Sequence, residues 1–517
     1  MNELSSMIDS FGDVAPGYLD WARFGPLSPV VRAEMSADTE TLGTGRSAGI
    51  DLVAARSDEA RDLVARVMDL PVDEIVLQPS TSYGLQHAFL GLTGTVVLPA
   101  LEFPAMRLAA GRAAAARGLL AVREIDPPAG IVTPADIATA LTDEVTAVAL
   151  SLVDFRTGAV ADLEGIRGVI GDRLLIVDAI QGFGVTDVEW TAADVIVGNG
   201  YKWLRAGRGT GFARFSPRAR ERIEPVLSGI SGMVGDETTR GVPQAVAGAA
   251  AYSVAPGDPL AASRLVAALR EILDAGVGAV AATVRERAQE VMQLADGFGL
   301  PVITPRDAHA GIVTLMPDAA DAPALAAALA NHGLTVTARG GGIRVSTHVG
   351  GGCVGELGDA LADAAARRAV TIDLAPDLGA GLPAAEVFTI ELPEDASAGL
   401  AADTVGEEAV DAEPAAPVDP AAEQPASAEH AEPQEFTPLP EDAATQELTV
   451  STEHTGAWGA DGDEPDDEIV IATVEDDEPH GDDEARADDE TRVDDGTRVD
   501  DETRGADGDR QPDAVQI

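Results

Sequence analysis

Lysine is almost missing from this chain of 517 residues: of its 35 basic side chains, Lys202 is the single lysine. Cysteine is equally rare. Cys353 stands alone, which excludes an intrachain disulfide and a thiolate metal cluster. Positive charge is scarce overall, with 88 acidic residues and a formal net charge of −53. That balance repels phosphate and excludes a protein that grips nucleic acid through a basic face. No stretch is both long and apolar enough to span a bilayer, and the opening MNELSSMIDSFGDV lacks the basic start and apolar run of a secretory signal. A soluble, cytoplasmic protein is expected.

The charge is unevenly spread. Residues 1–372 hold 30 basic and 44 acidic side chains, and residues 373–517 hold 5 and 44. The first part is long enough for a large domain and a smaller one with a substantial core. The second is Ala/Pro/Glu-rich over 373–440 and Asp/Glu/Gly-rich over 460–512. It cannot bury enough apolar surface to offset its ordering entropy and is expected to be a disordered tail. Near its end a six-residue unit repeats as DDETRV (488–493), DDGTRV (494–499) and DDETRG (500–505). Phosphorylation of Thr491, Thr497 or Thr503 would create docking sites for an Arg-bearing protein partner. A merely solubilising, self-repelling tail accounts for the same composition.

Between residues 70 and 215, short apolar runs alternate with helix-like stretches. The runs are EIVLQPS (74–80), TVVLPALEF (95–103), VTAVALSLVDF (145–155), LLIVDAIQ (174–181) and DVIVGNG (194–200). Each is short enough to be a strand buried on both faces, and MRLAAGRAAAARG (106–118) between two of them has helical spacing. This pattern predicts an α/β fold with helices on both sides of a mostly parallel sheet. In such sheets ligands bind beyond the carboxyl ends of the strands. A long helical segment over 260–299 then leads to strands at GIVTLMP (311–317) and GIRVSTH (342–348), with helices at 322–333 and 356–369. The expected organisation is an N-terminal segment (1–30), a large domain (31–255), a small α+β domain (256–372) and the tail (373–517).

The polar residues at the strand ends carry the chemistry. Lys202 follows the run DVIVGNG and precedes a glycine-rich segment. A lysine placed to form a Schiff base would look like this, because arginine cannot supply a nucleophilic amine. A surface lysine that merely persisted is the plainer reading. Asp178 ends LLIVD, where a carboxylate is costly without a cationic partner. The protonated ring nitrogen of pyridoxal 5′-phosphate would be such a partner, and Gln181, three residues on, could reach the cofactor's phenolic oxygen. An end-of-strand turn former would also place an aspartate there. Ser80, Thr81 and Ser82 lie where a strand turns into a helix, which suits a phosphate site or a simple N-cap. Phe103 could stack on a cofactor ring or sit in the core. Arg344 could grip a substrate carboxylate through a bidentate pair or be a solvated strand end.

Over roughly residues 15–370 these residues resemble the class V aminotransferase group of fold-type I pyridoxal-phosphate enzymes. The resemblance rests on GYLDWARFGPLSPVV (17–31), VDFRTGAVADLEGI (153–166) and GNGYKWLRAGRGTGFARFSP (198–217). Within the group, STS (80–82), FP (103–104), DFRTG (154–158) and YK (201–202) lean towards kynureninases. The resemblance implies Lys202 as the Schiff-base lysine that also moves protons at the substrate α-carbon. It implies Asp178 on the pyridine nitrogen, Gln181 on the phenolic oxygen, and Phe103 stacked on the ring. Thr81, Ser82 and Tyr201 would stand near the phosphate, and Arg344 would hold the substrate carboxylate. It further implies a homodimer with a shared site, which ETTRG (237–241) of a second copy would complete, and an amino acid or amine as substrate. Transamination is the expected reaction, with kynureninase-like C–C cleavage or C–S lysis as the alternative, and a catalytically inactive binding protein as a third reading. Two departures stand out. Kynureninases usually carry histidine where this chain has Gln181. Cys353, in VGGGCVGE, falls later than the catalytic loop of cysteine desulfurases.

Overall fold

A computed structural model describes residues 3–127, 130–350 and 354–373, and among these described residues ten strands organise the fold. These are β1 (Ile75–Gln78), β2 (Gly94–Pro99), β3 (Leu120–Ile125), β4 (Val145–Ser151), β5 (Leu174–Asp178), β6 (Val195–Asn199), β7 (Gly211–Phe215), β8 (Ile312–Leu315), β9 (Thr337–Arg339) and β10 (Gly342–Ser346). The first seven form one sheet in the order β1-β7-β6-β5-β4-β2-β3. From β3 to β6 all pairs are parallel, and β7 runs antiparallel to both β6 and β1. The expected mostly parallel α/β sheet is what forms.

Burial on both faces explains why the central strands read as unbroken apolar runs. Along β5, Leu175 and Val177 enter one core together with Val148 and Ile196. Leu174 and Ile176 enter a second core on the opposite face with Val96, Val195 and Phe215. Alternation therefore exists, but both sides are apolar, so it is invisible as polarity. The helices Pro104–Arg117 and Pro259–Ala275 place Ala110 in the second core and Leu265 in the first.

Three elements depart from the sequence expectation. The edge strand β3, LAVREI, is only half buried and mixes charge with apolar residues, so it has no clear strand pattern. Strand β7 hides in the glycine-rich run after Lys202. Its Gly211 is required there, because a Cβ would stand 2.6 Å from the Gln78 carbonyl oxygen. The segment 260–299 is two helices, Pro259–Ala275 and Val277–Gly297, separated by Gly276 at φ +83°, a conformation that glycine tolerates and other residues resist.

The second sheet is antiparallel, in the order β8-β10-β9, and packs its own apolar cluster around Val313, Leu315, Ile343 and Val345. The N-terminal segment runs beside it. Leu19 donates to the Thr335 carbonyl at 3.0 Å, and Ser346 donates to the Leu19 carbonyl at 2.8 Å. The same segment then reaches the loop after β6, where Gly25 donates to the Tyr201 carbonyl at 2.9 Å. It thereby ties the small sheet to the lysine loop. Among the described residues no helix is long and apolar enough to cross a membrane.

Candidate active site

The ends of the strands bring the sequence candidates together. Because β1, β2, β4, β5 and β6 all run the same way, their carboxyl ends share one edge of the sheet. Thr81 follows β1, Phe103 follows β2, Asp178 ends β5, and Tyr201 and Lys202 follow β6. From the second sheet comes Arg344, at the middle of β10.

Lys202 is buried, and its Nζ lies 5.9 Å from the centre of the Phe103 ring and 5.6 Å from that of Tyr201. Burial lowers its proton affinity below that of an ordinary lysine; the Asp178 carboxylate opposes the shift, while the Arg344 and Arg208 guanidinium groups add to it. Asp178 is 2% exposed, and one of its oxygens accepts the Ile180 N–H at 2.9 Å. Burial raises its proton affinity, the Ile180 bond works against that, and the Glu102 carboxylate raises it further. The site thus holds an amine inclined to lose its proton close to a carboxylate inclined to gain one. Opposed shifts of this kind suit acid–base chemistry.

Tyr201 is half buried, its phenol held neutral first by burial, and the guanidinium of exposed Arg208 stands 4.7 Å above its ring. Phe103 is 38% exposed and meets Phe155 edge-on at 5.2 Å. Thr81 is the first residue of the helix Thr81–Gly91, and its Oγ1 is buried with no hydrogen-bond partner. A buried orphan hydroxyl at a helix N-terminus, where free amides also gather, fits a phosphate oxygen. Ser80 occupies the N-cap without making a side-chain cap, and Ser82 is exposed.

Two candidates are more committed than their sequence setting suggests. The Gln181 amide donates to the Ala22 carbonyl at 3.0 Å and its oxygen accepts the Trp203 indole N–H at 2.9 Å. Only one N–H of Gln181 is left for any ligand. Arg344 donates to the Phe155 carbonyl at 3.2 Å and, through Nη2, to Asp20 and Thr337 at 3.3 Å each. Its Nε is buried and has no partner, so a donor remains free.

The family model for class-V aminotransferases matches residues 28–350, more than half of the chain. The chain belongs to that family. It is similar to the kynureninase of Deinococcus radiodurans, 31% identical over 178 residues, which is 33% of this chain and 43% of that protein. The match thus spans less than half of that relative's length. Its fold is similar to the apo cysteine desulfurase of Thermococcus onnurineus NA1 (TM-score 0.60, 21% identity, covering 69% of this chain and 94% of that one). It is also similar to the cystine C–S lyase C-DES in complex with its product cysteine persulfide (TM-score 0.62, 19% identity, 69% and 99%). A C-DES variant with glycine covalently linked to its PLP cofactor has the same fold likeness (TM-score 0.63, 18% identity, 70% and 98%).

Sequence reasoning missed Glu102, Asp20 and His348. Glu102 sits directly before Phe103 in LEFP, and Asp20 lies within the quoted opening GYLDWAR, so both were in view without a role. His348 ends the run IRVSTH. It is fully buried between Phe11, Trp21 and Trp203, with ring centres 4.7, 5.1 and 5.8 Å away. Cys353 and the threonines of the tail lie outside the described residues.

Proposed function

We propose that this chain is a pyridoxal-phosphate enzyme that transaminates an amino acid or amine. The observation that carries the reading is the buried pair of opposed groups, Lys202 and Asp178, at the edge of a class-V aminotransferase sheet. When bound, pyridoxal phosphate supplies an aldehyde for the substrate amine and a ring that withdraws electrons from the bond broken at the α-carbon.

The residues present fit that group. Thr81 Oγ1 and the amides opening its helix would hold the phosphate, with Ser80, Ser82 and Tyr201 around it. Asp178 would hold the protonated ring nitrogen, and Phe103 would cover a face of the ring. Gln181 would reach the phenolic oxygen through the one N–H that Ala22 leaves free. Lys202 would be the point of attachment, since the chain has no other lysine. As a free amine of lowered proton affinity it would also serve as a base, able to take a proton from the substrate α-carbon and return it. Arg344, already aligned by Asp20 and Thr337, would receive the substrate carboxylate on its free Nε and neighbouring N–H groups. Transamination would need one base to carry the substrate proton, and Lys202 would be that base, which is why transamination is the first reading.

The similarity to a kynureninase supports a second reading, C–C or C–S bond cleavage from the same starting complex. Either reading is expected of a homodimer in the cytoplasm, with the acidic segment 373–517 outside the catalytic unit. The test is the visible absorption of the purified protein beside that of Lys202→Ala, followed by borohydride reduction and peptide mapping. Cofactor fixed to the Lys202 peptide supports the reading. A wild type that stays colourless with added pyridoxal phosphate overturns it. Assays with amino donors paired with keto acids then separate transamination from cleavage.

A further inference from the structure

One buried carboxylate has no part in the reading above. Glu102, in the turn after β2, is 7% exposed. Its Oε1 accepts the Phe103 N–H at 2.7 Å and the Ser151 hydroxyl at 2.6 Å, and its Oε2 accepts the Ser151 N–H at 2.8 Å. A carboxylate removed from water is tolerable only when its oxygens are satisfied, and three donors do so here. Burial raises the proton affinity of Glu102, and these three bonds oppose it; all three are donors, so the ionised form is the one that the geometry serves.

The partners are informative. Ser151 ends β4 and stands directly beside Asp178 in the β4–β5 register, and the next residue, Leu152, donates to the Asp178 carbonyl at 2.9 Å. Strands β2, β4 and β5 are neighbours in the sheet. Glu102 therefore holds, with one oxygen, the backbone of the aromatic residue beside Lys202. With both oxygens it holds the strand end beside Asp178. A carboxylate needed only to close a turn would have no reason to grip both. Glu102 also acts on Asp178 through its charge, which adds to the effect of burial in raising the proton affinity of Asp178. The charged or titratable groups acting on Asp178 are Glu102 after β2 and Lys202 after β6, and Tyr201 feels Asp178 in turn; Asp154 after β4 acts on Glu102.

We propose that Glu102 is a positioning residue of this site, which fixes the Phe103 ring and, as a second anion beside Asp178, makes the site select a ligand ring with a protonated nitrogen. The inference rests on the pyridoxal-phosphate reading and adds to it a requirement for ring charge that comes from Glu102 as well as from Asp178.

Equilibrium binding to the cofactor-free protein tests it without an activity assay. Pyridoxal phosphate is compared with its 1-deaza analogue, which has carbon in place of the ring nitrogen. Wild type is expected to prefer pyridoxal phosphate, and Glu102→Gln to lose about tenfold of that preference, the size expected when one nearby charge is removed. Glu102→Asp, which keeps the charge on a shorter arm, is expected to weaken both ligands while restoring the preference. A Glu102→Gln protein that weakens both ligands equally, or neither, overturns the proposal, because a merely structural carboxylate would not change the ratio. Should Glu102→Gln not fold by circular dichroism, Ser151→Ala carries the test. It removes one of the three donors and is expected to weaken both ligands about threefold by loosening Phe103; unchanged affinities would overturn the positioning. A wild type that binds neither ligand sinks the pyridoxal-phosphate reading itself, an outcome distinct from a lost ratio.

Discussion

Asp20 and Arg344 form an ion pair at 3.3 Å across 324 positions of sequence, with the aspartate 2% and the arginine 14% exposed at the side chain. Thr337 completes the arrangement by donating to the same carboxylate oxygen at 2.8 Å. The N-terminal segment thus aims the arginine of the second sheet. Asp20→Ala is expected to destabilise the protein by about 3 kcal/mol, because it leaves a largely buried guanidinium without its anion. Asp20→Asn, which keeps an oxygen for Thr337, is expected to cost less. Urea unfolding followed by tryptophan fluorescence measures both, and equal stability of Asp20→Ala and wild type would refute the pairing.

Gly25 touches the lysine loop where no side chain fits. A Cβ at this position would lie 1.9 Å from the Lys202 carbonyl oxygen and 3.3 Å from the Arg205 Cα. Both obstacles are backbone, so Gly25→Ala must move one segment or the other. Overpacking of this kind costs about 1–3 kcal/mol. The expected result is a folded protein whose affinity for pyridoxal phosphate is about tenfold lower or worse, measured by absorbance titration. Wild-type affinity would show that the loop moves without consequence for Lys202.

How much of this was readable in the sequence varies with the kind of signal. The five long apolar runs were legible because both faces of β1, β2, β4, β5 and β6 are buried, and a run buried on both faces needs no phase. Most candidate residues were legible for a related reason: they stand where such a run stops, Arg344 in the middle of β10 being the exception. Strand β7 was hidden because Gly211 exists to let Gln78 pass close by, a contact that one segment cannot announce. The commitments of Gln181 and Arg344 were hidden too. Their partners Ala22 and Asp20 lie more than 150 positions away, and only the folded N-terminal segment brings them near.

The Gln181–Trp203 hydrogen bond joins the strand end that carries Asp178 to the loop that carries Lys202. Trp203→Phe removes the indole donor while keeping most of the buried aromatic volume. Leaving the buried Gln181 oxygen unsatisfied is expected to cost about 1–3 kcal/mol. The amide then keeps only its bond to the Ala22 carbonyl and is held less firmly, so the absorption maximum of bound pyridoxal phosphate should also shift. An unchanged spectrum together with unchanged stability would mean that the bond does not orient Gln181.

His348 sets an acid limit to stability. Its Nδ1 accepts the Val349 N–H at 2.8 Å, so Nε2 carries the proton and donates to the Trp203 carbonyl, also at 2.8 Å. Burial among aromatic rings pushes its pKa down to about 3, with the Trp203 bond opposing and the Arg205 charge adding. The unfolded chain, with an ordinary histidine near 6.5, therefore binds a proton that the folded one refuses. The contribution is fully present above pH 6.5 and is lost progressively as pH falls towards 3. Between pH 7 and pH 4 the loss is on the order of 3 kcal/mol. His87, pushed down to about 4 by burial alone, acts in the same direction. His348→Gln is expected to be less stable at pH 7 yet to lose less between pH 7 and pH 4, as read from urea midpoints at each pH. If its midpoint falls with acid as steeply as that of wild type, the acid sensitivity lies elsewhere, and His348 would then be a packing residue without a titration of its own to resist.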